Sequence, residues 1–471
     1  YGAGLCPVDA LQTNRDPMIA SNWSPESWRA CPVSQTPPYA DGGALAKASE
    51  HLACLPPLVT SWEIERLKSL LAEAQEGKRF VLQGGDCAET VADCRPDAIA
   101  AKLKILLQMS LVLVHGLRRP VVRIGRFAGQ YAKPRSSATE TREVDGKPVT
   151  LPSYFGDLVN RIGFTAAERE PNPDNMVSGY MHAALTLNFI RALVDGGFAD
   201  LHHPKQWDMA FTREAKLSAQ VRGEYERMSQ NLSDGMHLME SLGEARIEEL
   251  TRVEFFTSHE GLNLLYEGAL TRQVPRRPGW YDLSTHLPWI GERTRALEGA
   301  HVEFFRGLRN PIGVKLGPKT SAKDVQDLMD VLNPGDEPGR LTFITRMGAN
   351  EVLENLPRLL SAVGKRPVLW VCDPMHGNAH TTPNGVKTRS FDAILEDLER
   401  TQDMHSKAGT WLGGVHFELT GEDVTECLGG AAGLSEEGLL ANYASLCDPR
   451  LNYQQSLELA FLLARRMRGA D

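Results

Sequence analysis

VVRIGRFAGQYAKPRS, residues 121–136, opens as a short β-branched run and passes into a loop holding three cations, Arg126, Lys133 and Arg135, followed by Ser136. The small residues Ala128 and Gly129 leave room for guanidinium forks, an ammonium and backbone N–H groups to converge on phosphate or carboxylate oxygens. In a chain of net charge −9, this local excess of positive charge asks for anionic partners. Taken alone, the stretch reads equally well as a solvated basic loop.

The pattern around it decides the fold. A capping box at Thr60 and Glu63 opens an amphipathic helix that closes at Gly77. A strand at 79–82, a turn at Gly84 and Gly85, and a helix over 96–114 closed at Gly116 complete one β-loop-α unit. Further strand-like runs stand at 121–124, 252–256, 287–290, 312–316, 341–345, 367–371 and 414–417, with capped helical patterns such as 321–332 and 351–363 between them. Eight strands alternating with helices predict an α/β fold of the (β/α)8 TIM barrel type, with polar residues just past the strands' C-terminal ends.

Residues 1–78 read as an extended N-terminal arm plus one helix, and 79–471 as the catalytic barrel. Two stretches exceed a minimal barrel: a long polar loop at 137–175, and extra helical pattern at 207–250 between strands two and three. The final helix, 454–467, carries an apolar face of Leu457, Ala460, Phe461 and Ala464 that reads as core packing.

With 471 residues, 42% hydrophobic and 24% charged, the chain has the length and composition of a globular enzyme. Its acidic balance argues against nucleic-acid or anionic-membrane partners, so the cation cluster reads as a small-ligand site. Apolar runs fall short of transmembrane length and no signal-peptide pattern opens the chain, so the expectation is a cytoplasmic protein. Eight cysteines without a CxxC pair read as free thiols.

Candidate chemistry collects at the strand ends. Cys87 follows strand one, His376 follows strand seven, Glu418 ends strand eight, and Asp448 precedes the last helix. Singly, each has an ordinary structural role open to it; together they make a mixed S/N/O set for one divalent transition metal, Mn, Co, Fe or Zn rather than Mg or Ca. Arg293 after strand four, Lys315 on strand five and Arg346 after strand six join the first three cations, which implies a substrate set with several negative charges.

In order along the chain, QGGDCAET, RFAGQYAKPRS, TSHE, WIGERTR, GVKLGP, TRMG, CDPMHGN, GVHFELTGEDVTECLGG and CDPRLNYQQSLELAF closely resemble the class II 3-deoxy-D-arabino-heptulosonate 7-phosphate (DAHP) synthases. The resemblance spans roughly residues 52–468. It implies condensation of phosphoenolpyruvate with erythrose 4-phosphate, the first step of the shikimate pathway, with Mn or Co as the foremost metals. It also implies that Cys87, His376, Glu418 and Asp448 ligate the metal. Arg126, Lys133, Arg293, Lys315 and Arg346 would contact phosphoenolpyruvate, with Glu292 adjacent, and Arg135 and Ser136 would hold the phosphate of erythrose 4-phosphate. Lys133, Glu292 and Arg126 are the candidates for direct catalytic roles, and Glu260 is a further candidate base.

For partners, the resemblance implies a homo-oligomer, dimer or tetramer, with an aromatic amino acid effector and a chorismate mutase as further partners. The chain departs from the family's SYRGD pattern at SYFGD, where Phe155 replaces an Arg. Cys447 beside Asp448 brings a second sulfur to the proposed ligand Cys87, whose thiolate is expected to be favoured by the surrounding cations. Another phosphoenolpyruvate-dependent aldol synthase and a non-catalytic paralogue are the alternatives, discriminated by the aldehyde consumed and by the intact ligand set.

Overall fold

The computed structural model describes residues 23–196, 223, 227, 230 and 253–468. Eight parallel strands close into a barrel: β1 (Phe80–Gly85), β2 (Val121–Arg126), β3 (Phe256–Glu260), β4 (Leu287–Ile290), β5 (Ile312–Leu316), β6 (Leu341–Thr345), β7 (Leu369–Cys372) and β8 (Gly414–Glu418). They pair in chain order, and β8 closes onto β1. Strands β1, β5, β6, β7 and β8 are buried along their whole length, as parallel strands covered by helices must be. The barrel predicted from strand count is the fold.

The third strand lies later than its apolar run suggested. Pairing to β2 starts at Phe256, and Ser258, His259 and Glu260 form the ladder with β4, so the strand is FTSHE, 256–260, rather than 252–256. Thr257, Ser258 and His259 are buried because each finds a partner: Thr257 meets the ring of His286, Ser258 accepts from Gln83, and His259 pairs with Glu267. Hydropathy alone hides a strand of that kind. Strand β7 likewise ends at Cys372 rather than at residue 371.

Gly85 carries the geometry that brings the site together. It pairs with Arg126 on one side and with Glu418 on the other. Its φ is 150°, and a Cβ there would fall 2.6 Å from a ring carbon of Phe127 and 2.8 Å from the carbonyl of Arg126. Only glycine permits that approach.

The helix Ser61–Gln75 is capped by Thr60 and Glu63 as expected. Helix Pro96–Leu117 runs past Gly116 and stops at Arg118, which takes the left-handed conformation. Gly116 is therefore a packing residue and not a stop: a Cβ there would lie 2.3 Å from that of Ala464 on helix Tyr453–Arg468. By length and composition this 22-residue helix could cross a membrane, which corrects the expectation that no run is long enough. It is instead buried in the barrel wall, where Lys102 pairs with Asp86 and Gln108 accepts from Tyr453.

From residue 23 onward the arm is more ordered than its composition suggested. Asp41 caps a helix, Gly42–Cys54, and Trp23 and Trp28 are buried. The long loop contains a hairpin, Thr139–Val144 with Lys147–Pro152, turned on Asp145 and Gly146, both at positive φ. An Asp-Gly pair is a strong hairpin signal, and it turns a stretch whose polarity reads as plain loop. The helices expected within 207–250 lie outside the described residues, apart from helical positions 223, 227 and 230. All seven described cysteines are free thiols.

Candidate active site

The β1–β2 and β1–β8 registers set Arg126 and Glu418 on either side of Gly85, and the Arg126 Nη1 donates to Glu418 Oε1 at 3.2 Å. The other end of that guanidinium donates to the carbonyl of Cys87 at 3.1 Å. Leu451 bridges Leu419 just past β8, which draws the segment holding Asp448 alongside the strand end. Arg450 clamps it there by donating to Asp86 at 2.7 Å and to Glu426 at 2.9 Å.

Cys87 Sγ and carboxylate oxygens of Glu418 and Asp448 consequently lie within 4.8 Å of one another. His376 Nε2 is 3.1 Å from Glu418 Oε1, while its Nδ1 faces Asp373 Oδ2 at 2.7 Å. A carboxylate that orients the far nitrogen of a histidine in this way is the usual outer support of a metal-binding imidazole. Three of the four donors predicted from sequence, Cys87, Glu418 and Asp448, thus share one volume, while His376 reaches it only through Glu418; the soft and hard donors together suit a divalent transition metal.

Cations surround it. Lys133 Nζ is 2.7 Å from Cys87 Sγ and 3.0 Å from Asp448 Oδ2. Lys315 is ion-paired to Asp373. Arg346 donates to the carbonyl of His376 at 3.1 Å. Arg126 and Lys315 both stand over Trp289, at 5.3 and 5.9 Å from its ring centre. Carboxylates of the protein already pair with three of the six cations, so fewer charges await a ligand than a simple count implied. The Nε atoms of Arg126 and Arg346 are buried with no hydrogen-bond partner among the described residues.

Farther out, Arg293 Nη2 donates to Ser136 Oγ at 3.1 Å, and the backbone N–H of Arg135 donates to Gln35 Oε1 at 2.7 Å. Glu292 accepts from Arg295 at 3.1 Å and from the Gly317 N–H at 2.7 Å. Glu260 stands among Lys315, His376, Arg126 and Arg293.

These surroundings set protonation. Burial would raise Glu418, but His376, Arg389 and Arg126 hold it well below the usual carboxylate range. Asp373 is also held low against burial, by His376 and Lys315. Burial lowers Lys315 to about 8, helped by Arg126 and Arg346 and opposed by Asp373. Glu260 is pushed up by desolvation. Cys87 corrects an expectation: burial, the hydrogen bond with Cys447 and the charges of Asp448 and Glu418 raise its thiol well above normal, outweighing Lys133. Cys447 is the lowered thiol, to about 7, through its hydrogen bond with Cys87.

Sequence reasoning missed Asp373, Arg389, Trp289, the Arg450 clamp and Glu89, whose carboxylate accepts the N–H groups of Ala128, Gly129 and Gln130 at 2.9 Å and so shapes the loop after β2. Asp373 was within reach, since it lies three residues before His376 in CDPMHGN. Arg389, which donates to Glu418 Oε2 at 2.6 Å, comes from the hairpin Ala379–Thr381 and Lys387–Arg389 and carries no local signal.

The fold and site define a (β/α)8 barrel protein whose mouth joins a thiol, an imidazole and carboxylates to a ring of cations. The family model for the class-II DAHP synthetase family matches residues 23–464. Phospho-2-dehydro-3-deoxyheptonate aldolase of Neurospora crassa is 47% identical over 467 residues, covering 95% of each chain. The protein of the same name from Streptomyces coelicolor is 46% identical, over 94% of this chain and 97% of its own. Phospho-2-dehydro-3-deoxyheptonate aldolase AroG of Mycolicibacterium smegmatis is 44% identical over 94% of both. The chain belongs to the class-II DAHP synthetase family.

Proposed function

We infer that this chain condenses phosphoenolpyruvate with D-erythrose 4-phosphate and water to give DAHP and phosphate, opening the shikimate route to the aromatic amino acids. The observation that carries the reading is the meeting of Cys87, Glu418 and Asp448 within 4.8 Å, ringed by Arg126 and Lys133. Those three residues with His376 would hold one divalent metal, Mn or Co foremost and Zn or Fe also compatible with the donors, and it would supply polarisation of the aldehyde carbonyl.

The chain's own residues do the rest. Arg126, Lys315 and Arg346 neutralise the phosphate and carboxylate of phosphoenolpyruvate, and the buried positions of Arg126 and Lys315 strengthen their contacts. Arg135 and Ser136 take the phosphate of erythrose 4-phosphate, and Arg293, donating to Ser136, stands between the two subsites. Holding both substrates sets C3 of phosphoenolpyruvate against the aldehyde carbon. Lys133 supports the growing negative charge on the aldehyde oxygen. Bond formation leaves positive character at C2, water adds there, and collapse of the hemiketal phosphate expels phosphate.

Glu260 is the base that best fits the water step, since desolvation raises its proton affinity and cations surround it. Glu292, already engaged by Arg295 and Gly317, fits the role of shaping the loop beneath Arg293. The length of residues 207–250 supports a subunit interface there, in a dimer or tetramer, that binds an aromatic amino acid. Deleting the segment should abolish inhibition by Phe, Tyr or Trp, and inhibition that survives unchanged rejects that assignment.

The direct test is a phosphate-release assay with both substrates, with and without chelator. Release only when phosphoenolpyruvate and erythrose 4-phosphate are both present supports the reading; release with a different sugar aldehyde in preference rejects it.

A further inference from the structure

We propose that Gln35, on the arm that precedes the barrel, is a positioning residue for the loop that holds the sugar phosphate. The inference rests on the reading of Arg135 and Ser136 as that phosphate site.

The arm is fastened across the barrel on both sides of Gln35. Upstream, the buried Trp23 donates from Nε1 to the carbonyl of Glu303 at 2.8 Å and meets Trp280 edge-on at 6.2 Å. The carbonyl of Pro32 accepts from the N–H of Ala300 at 3.0 Å. Downstream, the hydroxyl of Tyr39 accepts from Asn263 Nδ2 at 3.3 Å. Between these anchors Gln35 adopts φ 63°, a left-handed conformation that a residue with a Cβ disfavours. Strain of this kind persists where the surroundings over-determine it, and it concentrates at working parts of a protein.

What the strained turn achieves is the placement of one amide. Gln35 Oε1 accepts the backbone N–H of Arg135 at 2.7 Å. Among the described residues, no other arm side chain is hydrogen-bonded to the loop from 127 to 136. Gln35, Thr36 and Pro37 lie here against Ala132 and Phe155, with room left for no more than about one water. Phe155 offers no polar side-chain atom there, and its carbonyl is already used by the Lys133 N–H at 2.9 Å. The link from arm to loop therefore falls to Gln35.

Pinning the Arg135 amide fixes the backbone from which the Arg135 guanidinium and the Ser136 hydroxyl project. A pre-ordered loop binds its anion without the entropic cost of ordering it. Removing the pin should therefore weaken capture of the sugar phosphate and leave the chemistry, once both substrates are bound, unaltered.

The test compares Gln35→Ala with Gln35→Gly, using Arg135→Ala as the reference, in full-length protein assayed for phosphate release. Both Gln35 variants lack the acceptor, but Gly relieves the left-handed strain and Ala retains it. The expected result is an equal rise in KM for erythrose 4-phosphate in both, by about 3- to 10-fold for one hydrogen bond. KM for phosphoenolpyruvate and kcat should stay within about 2-fold, while the melting temperature of the Gly variant exceeds that of the Ala variant. A KM that follows melting temperature, so that Gly restores it, marks a merely structural role and overturns the inference. Wild-type KM in both variants, or an equal rise in both substrates' KM, also overturns it. If Arg135→Ala leaves KM for erythrose 4-phosphate unchanged, the phosphate-site reading itself fails, and the inference falls with it.

Discussion

Lys133 reaches the sulfur of Cys87: the ammonium from the loop after β2 donates to a thiol just past β1 at 2.7 Å. Through this contact and its 3.0 Å ion pair to Asp448, the substrate-facing loop is tied to the donor set, so events at one are felt at the other.

Metal removal is the first consequence. Chelation should abolish phosphate release, and Mn or Co should restore it. Asp373→Asn, which weakens the support behind His376 Nδ1, should loosen metal binding by about 10- to 100-fold, read by titration of apo-protein. Full turnover in a rigorously metal-free sample would contradict the assignment.

Arg346 donates to the His376 carbonyl and is proposed to serve one substrate only. Arg346→Ala should lower kcat/KM for phosphoenolpyruvate by about 10- to 100-fold, the size expected for a charge-assisted contact, with a much smaller change for erythrose 4-phosphate. Equal losses for both would show that the cations are not divided between substrates as proposed.

Lys315 supplies a pH signature. Burial lowers it to about 8, so in the free enzyme it is cationic below that pH and neutral above. Anion capture needs the charge, hence kcat/KM for phosphoenolpyruvate should fall as pH rises through about 8. Lys315→Arg should remove that limb, because guanidinium stays charged; a limb that persists in the variant assigns the titration to another group.

Gly116 makes a stability prediction. A Cβ there would sit 2.3 Å from that of Ala464, so Gly116→Ala should destabilise by about 1–3 kcal/mol through overpacking between the two helices. Adding Ala464→Gly should recover most of the loss in thermal unfolding. Failure of the second change to rescue would mean that the helices do not meet at this pair.

Cys447 is hydrogen-bonded to Cys87 and is the thiol lowered to about 7. With metal stripped, mild peroxide should oxidise the Cys447 sulfur to a sulfenic acid, and the Cys87 thiol should displace water to close a disulfide. Non-reducing peptide mapping should find the Cys87–Cys447 link in wild type, with none in Cys447→Ser. Bound metal should protect, and inactivation equal in both proteins would reject the link.

The sequence by itself determined the barrel, because eight β-branched runs alternating with capped helices admit few other arrangements, and it marked Cys87, His376, Glu418 and Asp448 as one set. It missed the true span of β3, since Thr257 and Ser258 are buried through hydrogen bonds that hydropathy does not register. It misjudged Gly116 because a helix-stopping glycine and a helix-packing glycine look alike until the partner helix is in place. Tertiary structure alone decided protonation and support. Cys87 keeps its proton because burial and two nearby carboxylates outweigh one lysine, and Arg389 and Gln35 matter only through contacts with residues distant in the chain. Local patterns encode strands, helices and caps; the field at a buried atom is a sum over neighbours that only the closed barrel brings together.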